Sequence, residues 1–205
     1  MKHTLELCSG FGSFSHIAKS EFGYDQVTTI DIDPYFNPTI CIDILDWNYR
    51  AFEPGHFDII WCSPPCTEYS NQKRSGERDL VKADSIVMKC IEIIKYFNPR
   101  LYFIENPFTG MLKHRMFMRD LKSYRVDYCA YDSKLGMKKS TMIWSNRPTF
   151  TPRTCAGRGT CPSMVGRRHR CTCTGSYWDP SWKSVKGRSR ELARVPYNLI
   201  RELLT

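Results

Sequence analysis

The sequence predicts an α/β fold with a mostly parallel sheet, because apolar segments of strand length alternate with helical or polar segments. The clearest of these segments runs from Phe57 to Cys62 and is apolar enough for a strand that is buried on both faces. Ser63-Pro64-Pro65 must end this strand, since proline fixes φ and has no amide hydrogen to donate. Asp31 and Glu105 also end apolar segments. Polar groups are therefore expected along the carboxyl edge of the sheet, where open α/β sheets bind ligands.

The amino-terminal segment predicts a strand, a glycine-rich turn and a helix. The strand covers residues 4–8, and the helix covers about Phe14 to Phe22. Gly10 and Gly12 between them allow the backbone to approach a ligand closely. The second strand, residues 26–31, ends in a carboxylate about 20 residues after the glycine turn, where an acidic residue can bind ribose hydroxyls.

Residues 40–46 repeat the pattern of an apolar strand with carboxylates at its end, where Asp43 and Asp46 stand. Cys66 follows the Pro-Pro turn at the same predicted edge, which is the position of a nucleophile. The polar stretch from Thr67 to Lys82 is predicted to be a mobile lid, and Asp84 to Phe97 a helix with an apolar core-facing stripe.

Residues 100–107 predict another buried strand, which places Glu105 on the same edge as Cys66. A glutamate in an apolar setting can donate as well as accept a proton. The alternative role for Glu105 is to cap a helix that begins near Gly110. Residues 125–131 and 140–145 predict two antiparallel strands joined through Gly136, which would complete a seven-stranded sheet.

The charge distribution separates the end of the chain from the rest. The net charge is +9, and residues 146–205 carry all of it, with 12 basic against 3 acidic side chains. This distribution predicts a neutral catalytic domain followed by a basic region, residues 146–205, that binds a polyanion. The simplest such polyanion is nucleic acid. A solvated basic tail is the alternative. No segment resembles a signal peptide or a membrane span, so we expect an intracellular protein whose ten cysteines are reduced, metal-bound or catalytic.

The basic region is also dense in cysteine and histidine. Cys155, Cys161, His169 and Cys171, with Cys173 as a substitute for the last, predict a zinc site in a segment without a core of its own. The alternative is free thiols in a loop. Arginines that are interleaved with these ligands are the predicted nucleic-acid contacts, namely Arg158, Arg167, Arg168 and Arg170.

Three motifs together resemble the cytosine-carbon-5 DNA methyltransferases, most closely the compact forms found in bacteriophages and large viruses. They are the run from Leu5 to Gly12, the Pro64-Pro65-Cys66 turn, and the run from Ile104 to Pro107. The resemblance covers about residues 4–146 and implies a class I S-adenosylmethionine-dependent methyltransferase fold, Rossmann-like with a seven-stranded sheet. It implies double-stranded DNA as the partner and Cys66, Glu105, Pro65 and Asn106 as the catalytic group.

By the same resemblance, Asp31 binds the cofactor's ribose, Ile32 lies against its adenine ring, and Asp43 lies near the adenine amine. The complete implied cofactor set is Cys8, Ser9, Gly10, Phe11, Gly12, Asp31, Ile32, Asp43, Ile44, Ser63 and Pro64. The target base must leave the stacked duplex, which gives the predicted lid and its basic residues Lys73, Arg74 and Arg78 a role on DNA.

The sequence departs from the family pattern in two places. The family's Gln-x-Arg-x-Arg motif is replaced by residues 138–142, where Lys139 or Thr141 is expected to contact the cytosine. The family's closing Gly-Asn motif has no counterpart, so a protein partner is a candidate for completing the cofactor pocket. The predicted parts are residues 1–146 as catalytic domain, 147–190 as zinc-binding target-recognition segment, and 191–205 as a docking helix.

Two other functions stay open. An exocyclic-amino DNA methyltransferase also carries a Ser-Pro-Pro turn, but Cys66 and the Glu105-Asn106 pair argue against it. The second alternative is that the protein is mainly a zinc-containing DNA-binding relative of the family. It would then be catalytically weak or inactive, or would be a subunit that needs a partner. The recognition sequence, the choice between single-stranded and double-stranded substrates, the choice between DNA and RNA, and the oligomeric state do not follow from the sequence.

Overall fold

The structure is a computed structural model that describes residues 2–171 and 193–205. Numbered in chain order, the strands among these residues are β1 (His3–Leu7), β2 (Gln26–Asp31), β3 (Ile40–Cys41), β4 (Ile59–Cys62), β5 (Leu101–Pro107), β6 (Ser123–Asp127), β7 (Ser140–Ser145), β8 (Met164–Val165) and β9 (Arg168–His169). The α-helices are α1 (Ser13–Phe22), α2 (Leu80–Phe97) and α3 (Tyr197–Leu204).

Seven strands form one sheet in the order β3-β2-β1-β4-β5-β7-β6. The pairs β3–β2, β2–β1, β1–β4 and β4–β5 are all parallel, which places the carboxyl ends of five strands along one edge. The predicted seven-stranded, mostly parallel α/β fold is confirmed. The chain divides into two compact units, one of Met1–Tyr124 with Met142–Thr149 and one of Arg125–Thr141 with the described part of Phe150–Thr205. The predicted division at residue 146 stays a prediction.

The core of the first unit explains why β4 is apolar throughout. Successive side chains of a strand point to opposite faces of its sheet, so a strand covered on both sides needs apolar residues at every position. On one face Trp61 stacks on Phe14 of α1, with ring centroids 5.4 Å apart. On the other face Ile60 and Cys62 belong to the apolar cluster that includes Phe97 of α2. Each such fully buried large side chain contributes about 1.5–3 kcal/mol.

Helix α2 begins at Leu80, earlier than the predicted start at Asp84. Its N-cap is Asp79, whose side chain accepts a hydrogen bond from the backbone N–H of Lys82 at 2.9 Å. The helix ends at Phe97, and its C-cap Asn98 has a left-handed conformation and is followed by Pro99. The predicted lid is therefore shortened to the residues before Asp79.

Other predicted elements are shorter than expected. Strand β3 has only two residues, since the Asp43 side chain accepts a hydrogen bond from Leu45 N and starts a turn. After Gly110 the chain forms two short 3₁₀ helices instead of an α-helix. Residues 128–130 are also 3₁₀-helical, so the predicted strand 125–131 ends at Asp127.

The predicted carboxyl-terminal helix of residues 192–204 covers residues 197–204 in the structure, and residue 192 lies outside the described part. Within residues 2–171 and 193–205, no helix combines the length and the apolar character that crossing a bilayer requires.

Candidate active site and metal centre

The end of β4 and the end of β5 form the centre of the candidate active site. These strands are neighbours in register, with Cys62 paired to Ile104, so the Pro-Pro-Cys turn and the Glu105-Asn106 pair reach the same edge. The two segments are also tied directly, because the buried Asn106 side chain donates a hydrogen bond to Pro64 O at 2.9 Å. Glu105 is 6 % exposed and is therefore largely shielded from water, whereas Cys66 is half-buried and keeps part of its surface accessible.

A hydrogen-bond network that was not predicted from the sequence holds the segments that follow Cys66 and Glu105. The Tyr69 hydroxyl donates to the Asp84 carboxylate of α2 at 2.8 Å, and Arg115 donates to the other oxygen of that carboxylate. Tyr69 O accepts from Met111 N at 2.9 Å. The segment after Cys66 is therefore joined to the segment after Glu105. No sequence signal indicated this network, because Asp84 was predicted only as the first residue of the helix.

Gly110 allows this junction to be close. A Cβ at position 110 would lie 3.3 Å from both Pro107 O and Tyr69 O, tighter than ordinary van der Waals contact. A side chain there would push the two segments apart, since backbone oxygens cannot rotate away.

The loop after Cys66 is organised around Glu68. Lys73 Nζ lies 2.6 Å from the Glu68 carboxylate, Arg78 donates to Glu68 O at 2.6 Å, and Asp79 N donates to the carboxylate at 2.8 Å. The hydrogen bond from Lys73, with the one from Asp79, lowers the pKa of Glu68. Lys73 and Arg78, predicted as DNA contacts, thus contact Glu68 in this structure, while Arg74 is exposed.

The glycine turn and the end of β2 form the adjacent part of the edge. Gly10 and Gly12 have positive φ values of 49° and 64°, and a Cβ at Gly10 would meet open space. Asp31 accepts hydrogen bonds from Gly10 N at 2.8 Å and Asp33 N at 2.9 Å, one on each carboxylate oxygen. An ionised carboxylate can accept about four hydrogen bonds, so Asp31 keeps capacity for ligand hydroxyls.

The apolar side chains near this turn differ in how much surface they present. Ile32 is 65 % exposed, which is unusual for a large apolar residue directly after a buried strand. Phe11 packs edge-on against Phe36 with centroids 5.1 Å apart. Ile44, predicted to contact the cofactor, is buried in the core cluster and offers little surface to a ligand.

The remaining residues of the predicted cofactor set mainly stabilise the protein itself. Ser63 Oγ accepts from Trp61 Nε1 at 2.9 Å, and Ser9 is buried. A hydrogen bond with Cys90, together with burial, raises the pKa of the Cys8 thiol well above its usual value. Cys8 is therefore held as a thiol and is a poor nucleophile, which distinguishes it from a cysteine placed for catalysis.

Glu6 is a second buried carboxyl group that the sequence analysis did not assign. Its two carboxyl oxygens accept from Phe14 N at 3.3 Å and Ser15 N at 2.9 Å, so it caps α1 from inside β1. Burial raises the pKa of Glu6 to about 7, because water no longer stabilises the charged form. The signal in the sequence was a charged residue between Leu5 and Leu7 of an apolar strand.

In the second unit, four metal-binding side chains come together. The ligand atoms of Cys129, Cys155, Cys161 and His169 all lie within 4.8 Å of one another. His169 Nε2 is 3.5 Å from the sulfurs of both Cys155 and Cys161. Burial lowers the pKa of His169 and favours its neutral form, which is the form that binds metals. Burial and the adjacent Cys155 thiol raise the pKa of Cys129.

The structure does not place the predicted fourth ligand, Cys171, with the other three. Cys171 is not in the group; its thiol donates to Leu135 O at 3.4 Å and its backbone N–H to Gly136 O. Cys129, which follows β6, takes the fourth place instead. The buried Asp127 holds the arrangement, since it accepts from Cys155 N at 2.9 Å through its side chain. Cys173, the predicted substitute, lies outside the described residues.

The predicted nucleic-acid residues of this unit are placed unequally. Arg158, Arg167 and Arg168 are exposed, and Arg170 is half-buried. Thr141 is fully buried and donates to Lys139 O at 3.4 Å, so the structure gives it no surface for contact with a base. The Lys139 ammonium lies 4.7 Å from the centre of the Tyr128 ring.

Solved structures share the fold. The Dnmt2 methyltransferase of S. pombe aligns with a TM-score of 0.51 and 17 % identity over 74 % of this chain and 50 % of its own. The Entamoeba histolytica methyltransferase EhMeth aligns with a TM-score of 0.54 and 14 % identity over 82 % of this chain and 57 % of its own. The present chain thus spans about half the length of these structures.

Two sequence comparisons identify the family. The model of the C-5 cytosine-specific DNA methylases matches residues 2–125. A protein of Frog virus 3 (isolate Goorha), named "Probable DNA (cytosine-5)-methyltransferase", is 34 % identical over 98 % of this chain and 97 % of its own length. The motifs at the sheet edge lie inside the matched region, and the chain belongs to the C-5 cytosine-specific DNA methylase family.

Proposed function

We propose that this chain methylates carbon 5 of cytosine in double-stranded DNA, with Cys66 as the nucleophile and Glu105 as its acid–base partner. The observation that carries the assignment is the hydrogen bond between Asn106 and Pro64 O, which joins the turn before Cys66 to the strand end that bears Glu105. Membership of the family supports the reaction, and the arrangement at the edge of the sheet supports the choice of these residues.

The reaction requires a nucleophile because carbon 5 of cytosine is too electron-poor to accept a methyl group directly. The Cys66 thiolate adds to carbon 6, forming a C–S bond and pushing electrons toward ring nitrogen 3 and carbon 5. Glu105 holds a proton at nitrogen 3 and so stabilises the charge that develops there. Once carbon 5 is methylated, its proton passes to water and the C–H electron pair forms the C5–C6 double bond. The C–S bond then breaks and releases Cys66 as a thiolate, and nitrogen 3 returns its proton to Glu105.

The residues at the glycine turn fit S-adenosylmethionine. Asp31 has carboxylate capacity left for the ribose hydroxyls, the exposed Ile32 offers an apolar face to adenine, and Gly10 leaves open space beside the backbone. When bound, the cofactor supplies an electrophilic methyl group on a sulfonium. The protein's part is to hold this group against carbon 5 while the Cys66–cytosine bond exists. A protein partner that completes the pocket stays a prediction.

Covalent trapping tests the nucleophile. Duplex DNA that contains 5-fluorocytosine should become covalently attached to the protein in the presence of S-adenosylmethionine, because fluorine at carbon 5 cannot leave as a proton does. Cys66→Ala should abolish the adduct, and Cys41→Ala, which removes an exposed cysteine, should retain it. An adduct of normal yield with Cys66→Ala would contradict the assignment.

We also propose that the group of Cys129, Cys155, Cys161 and His169 holds a structural Zn²⁺ ion. Three sulfurs and one imidazole nitrogen are a donor set that tetrahedral zinc prefers, and Gly157 N donates to Cys155 Sγ at 3.4 Å, as in a second coordination shell. Purified protein should contain one zinc per chain. Cys129→Ser should lower this content, while Cys171→Ser should not, and the opposite result would restore Cys171 as the ligand.

A further inference from the structure

One of the metal-binding residues, His169, belongs to a short β-hairpin. Strands β8 and β9 pair antiparallel, with Met164 opposite His169 and Val165 opposite Arg168. Gly166 and Arg167 form the two-residue connection, in which Gly166 has a φ of 59° that glycine adopts without strain. An isolated hairpin with two residues in each strand is too short to be stable in water.

The base of the hairpin is fixed at several points within the second unit. Of the four proposed ligands, His169 lies on β9, and Cys161 lies in the turn that leads into β8, where its O accepts from Met164 N at 3.1 Å. Arg170 N donates to Ser163 O at 3.1 Å and closes the pair below the strands. Ser163 is fully buried, and its hydroxyl donates to Ser133 O at 3.2 Å. A metal at the group would therefore link β9 and the turn before β8 to Cys129.

The register determines which side chains the hairpin presents. Directly opposed residues of an antiparallel pair lie on the same face, and successive residues alternate between faces. Because His169 faces the other ligands, Val165 and Arg168 face away from them. Val165 is 54 % exposed, and Arg167 at the tip is exposed as well. The outward surface thus combines two guanidinium groups with one branched apolar side chain.

We propose that this hairpin is a metal-held ribbon that reads the major groove of DNA, so that metal loading controls DNA binding but not cofactor binding. The inference rests on the proposed function, which supplies the DNA substrate and the metal. A two-stranded ribbon fits the major groove, arginine pairs with the guanine edge, and an apolar side chain contacts the thymine methyl group. The residues proposed to hold the cofactor belong to the other compact unit, so we expect cofactor binding to persist when the metal is removed.

Binding experiments with the full chain test the proposal. The affinity for a fluorescently labelled duplex of random sequence is measured by anisotropy, and the affinity for S-adenosylmethionine by calorimetry. Arg168→Ala should weaken DNA binding on the order of tenfold and relax the site preference seen by bisulfite sequencing. The matched control is Arg119→Ala, which removes one exposed charge from the first unit and should change DNA affinity less than twofold. Stripping the metal with a chelator should weaken binding to the labelled duplex at least as much as Arg168→Ala does and should leave the affinity for the cofactor unchanged.

Three outcomes would overturn the inference. The first is normal DNA affinity and site preference in Arg168→Ala, and the second is normal DNA binding after metal removal. The third is loss of cofactor binding together with DNA binding on chelation, since the metal would then support the whole protein. None of these depends on trapping by 5-fluorocytosine, so a failure here is distinguishable from a failure of the catalytic assignment.

Discussion

Substitution of Tyr69 by phenylalanine tests whether the network behind Cys66 positions the catalytic turn. The change removes only the hydroxyl that donates to Asp84, and Asp84 keeps its contact with Arg115. A hydrogen bond to a charged group contributes about 1.5–3 kcal/mol. For a chain of 205 residues, a loss of about 2 kcal/mol lowers the melting temperature by roughly 4–8 °C.

The effect on catalysis should exceed what a general loss of stability would produce. Displacement of a reacting group by about 1 Å can cost on the order of a hundredfold in rate, and Tyr69 lies three residues after Cys66. We expect kcat to fall roughly tenfold and the dissociation constant for S-adenosylmethionine to stay unchanged. Single-turnover methylation and calorimetry, both well below the melting temperature, measure the two quantities.

The matched control is Tyr96→Phe, which removes a hydroxyl that donates to Phe52 O at 2.9 Å. Tyr96 lies near the end of α2, and its hydroxyl has no link to the turn that carries Cys66. We expect this variant to lose stability but to keep kcat. If Tyr69→Phe also keeps kcat while it loses stability, the network is structural only and the positioning argument fails.

Three further predictions concern the buried acid, the cofactor and the charge. Because the pKa of Glu6 is about 7 in the folded chain and 4.5 ordinarily, the folded state retains a proton that the unfolded state loses. The free energy of unfolding should therefore fall by about 3 kcal/mol as pH rises between these values, and Glu6→Gln should flatten this dependence in urea unfolding at several pH values. Ile32→Ala should change the free energy of unfolding by less than about 0.5 kcal/mol, because the side chain is exposed. The same substitution should weaken cofactor binding roughly tenfold in calorimetry. Unchanged binding would show that Ile32 does not contact the adenine. Raising the salt concentration fourfold should weaken DNA binding at least about tenfold in anisotropy titrations and leave cofactor affinity constant, whereas salt-independent DNA binding would contradict the role of the basic region.

The sequence predicted best those features that depend on neighbours along the chain. Strand β2 ends at Asp31, β4 ends just before the Ser63-Pro64-Pro65 turn, and β5 ends at Pro107. In each case a carboxylate or a proline interrupts an apolar run, and the parallel sheet brings these ends to one edge. The start of α2 was predictable in principle, since Asp79 is an N-cap residue followed by a periodic apolar stripe. The short strand β3 was not, because its length depends on a side chain that folds back on Leu45 N.

Contacts between distant segments could not be predicted in the same way. Cys129 lies in a part of the sequence that was predicted as a strand, and it meets the cysteine-rich segment through contacts such as the bond between Asp127 and Cys155 N. Spacing alone favoured Cys171, which lies two residues from His169 but bonds to Leu135 O. Lys73 has the charge that DNA binding needs, yet the structure pairs it with Glu68, a partner that composition does not reveal.

The residues that the motifs assign to ligands also hold the loops that carry them. Asp31 binds the glycine turn through Gly10 N, and Asn106 binds the Pro-Pro turn through Pro64 O. Polar groups that are already oriented by the protein need little rearrangement when charge develops in a bound substrate, which is how preorganised sites lower barriers. The same double role means that a substitution at Asp31 or Asn106 changes both loop position and ligand contact. Substitutions outside the motifs, such as Tyr69→Phe, change the position of a loop without removing a ligand contact. They therefore distinguish the effect of positioning from the effect of a lost contact better than substitutions of motif residues do.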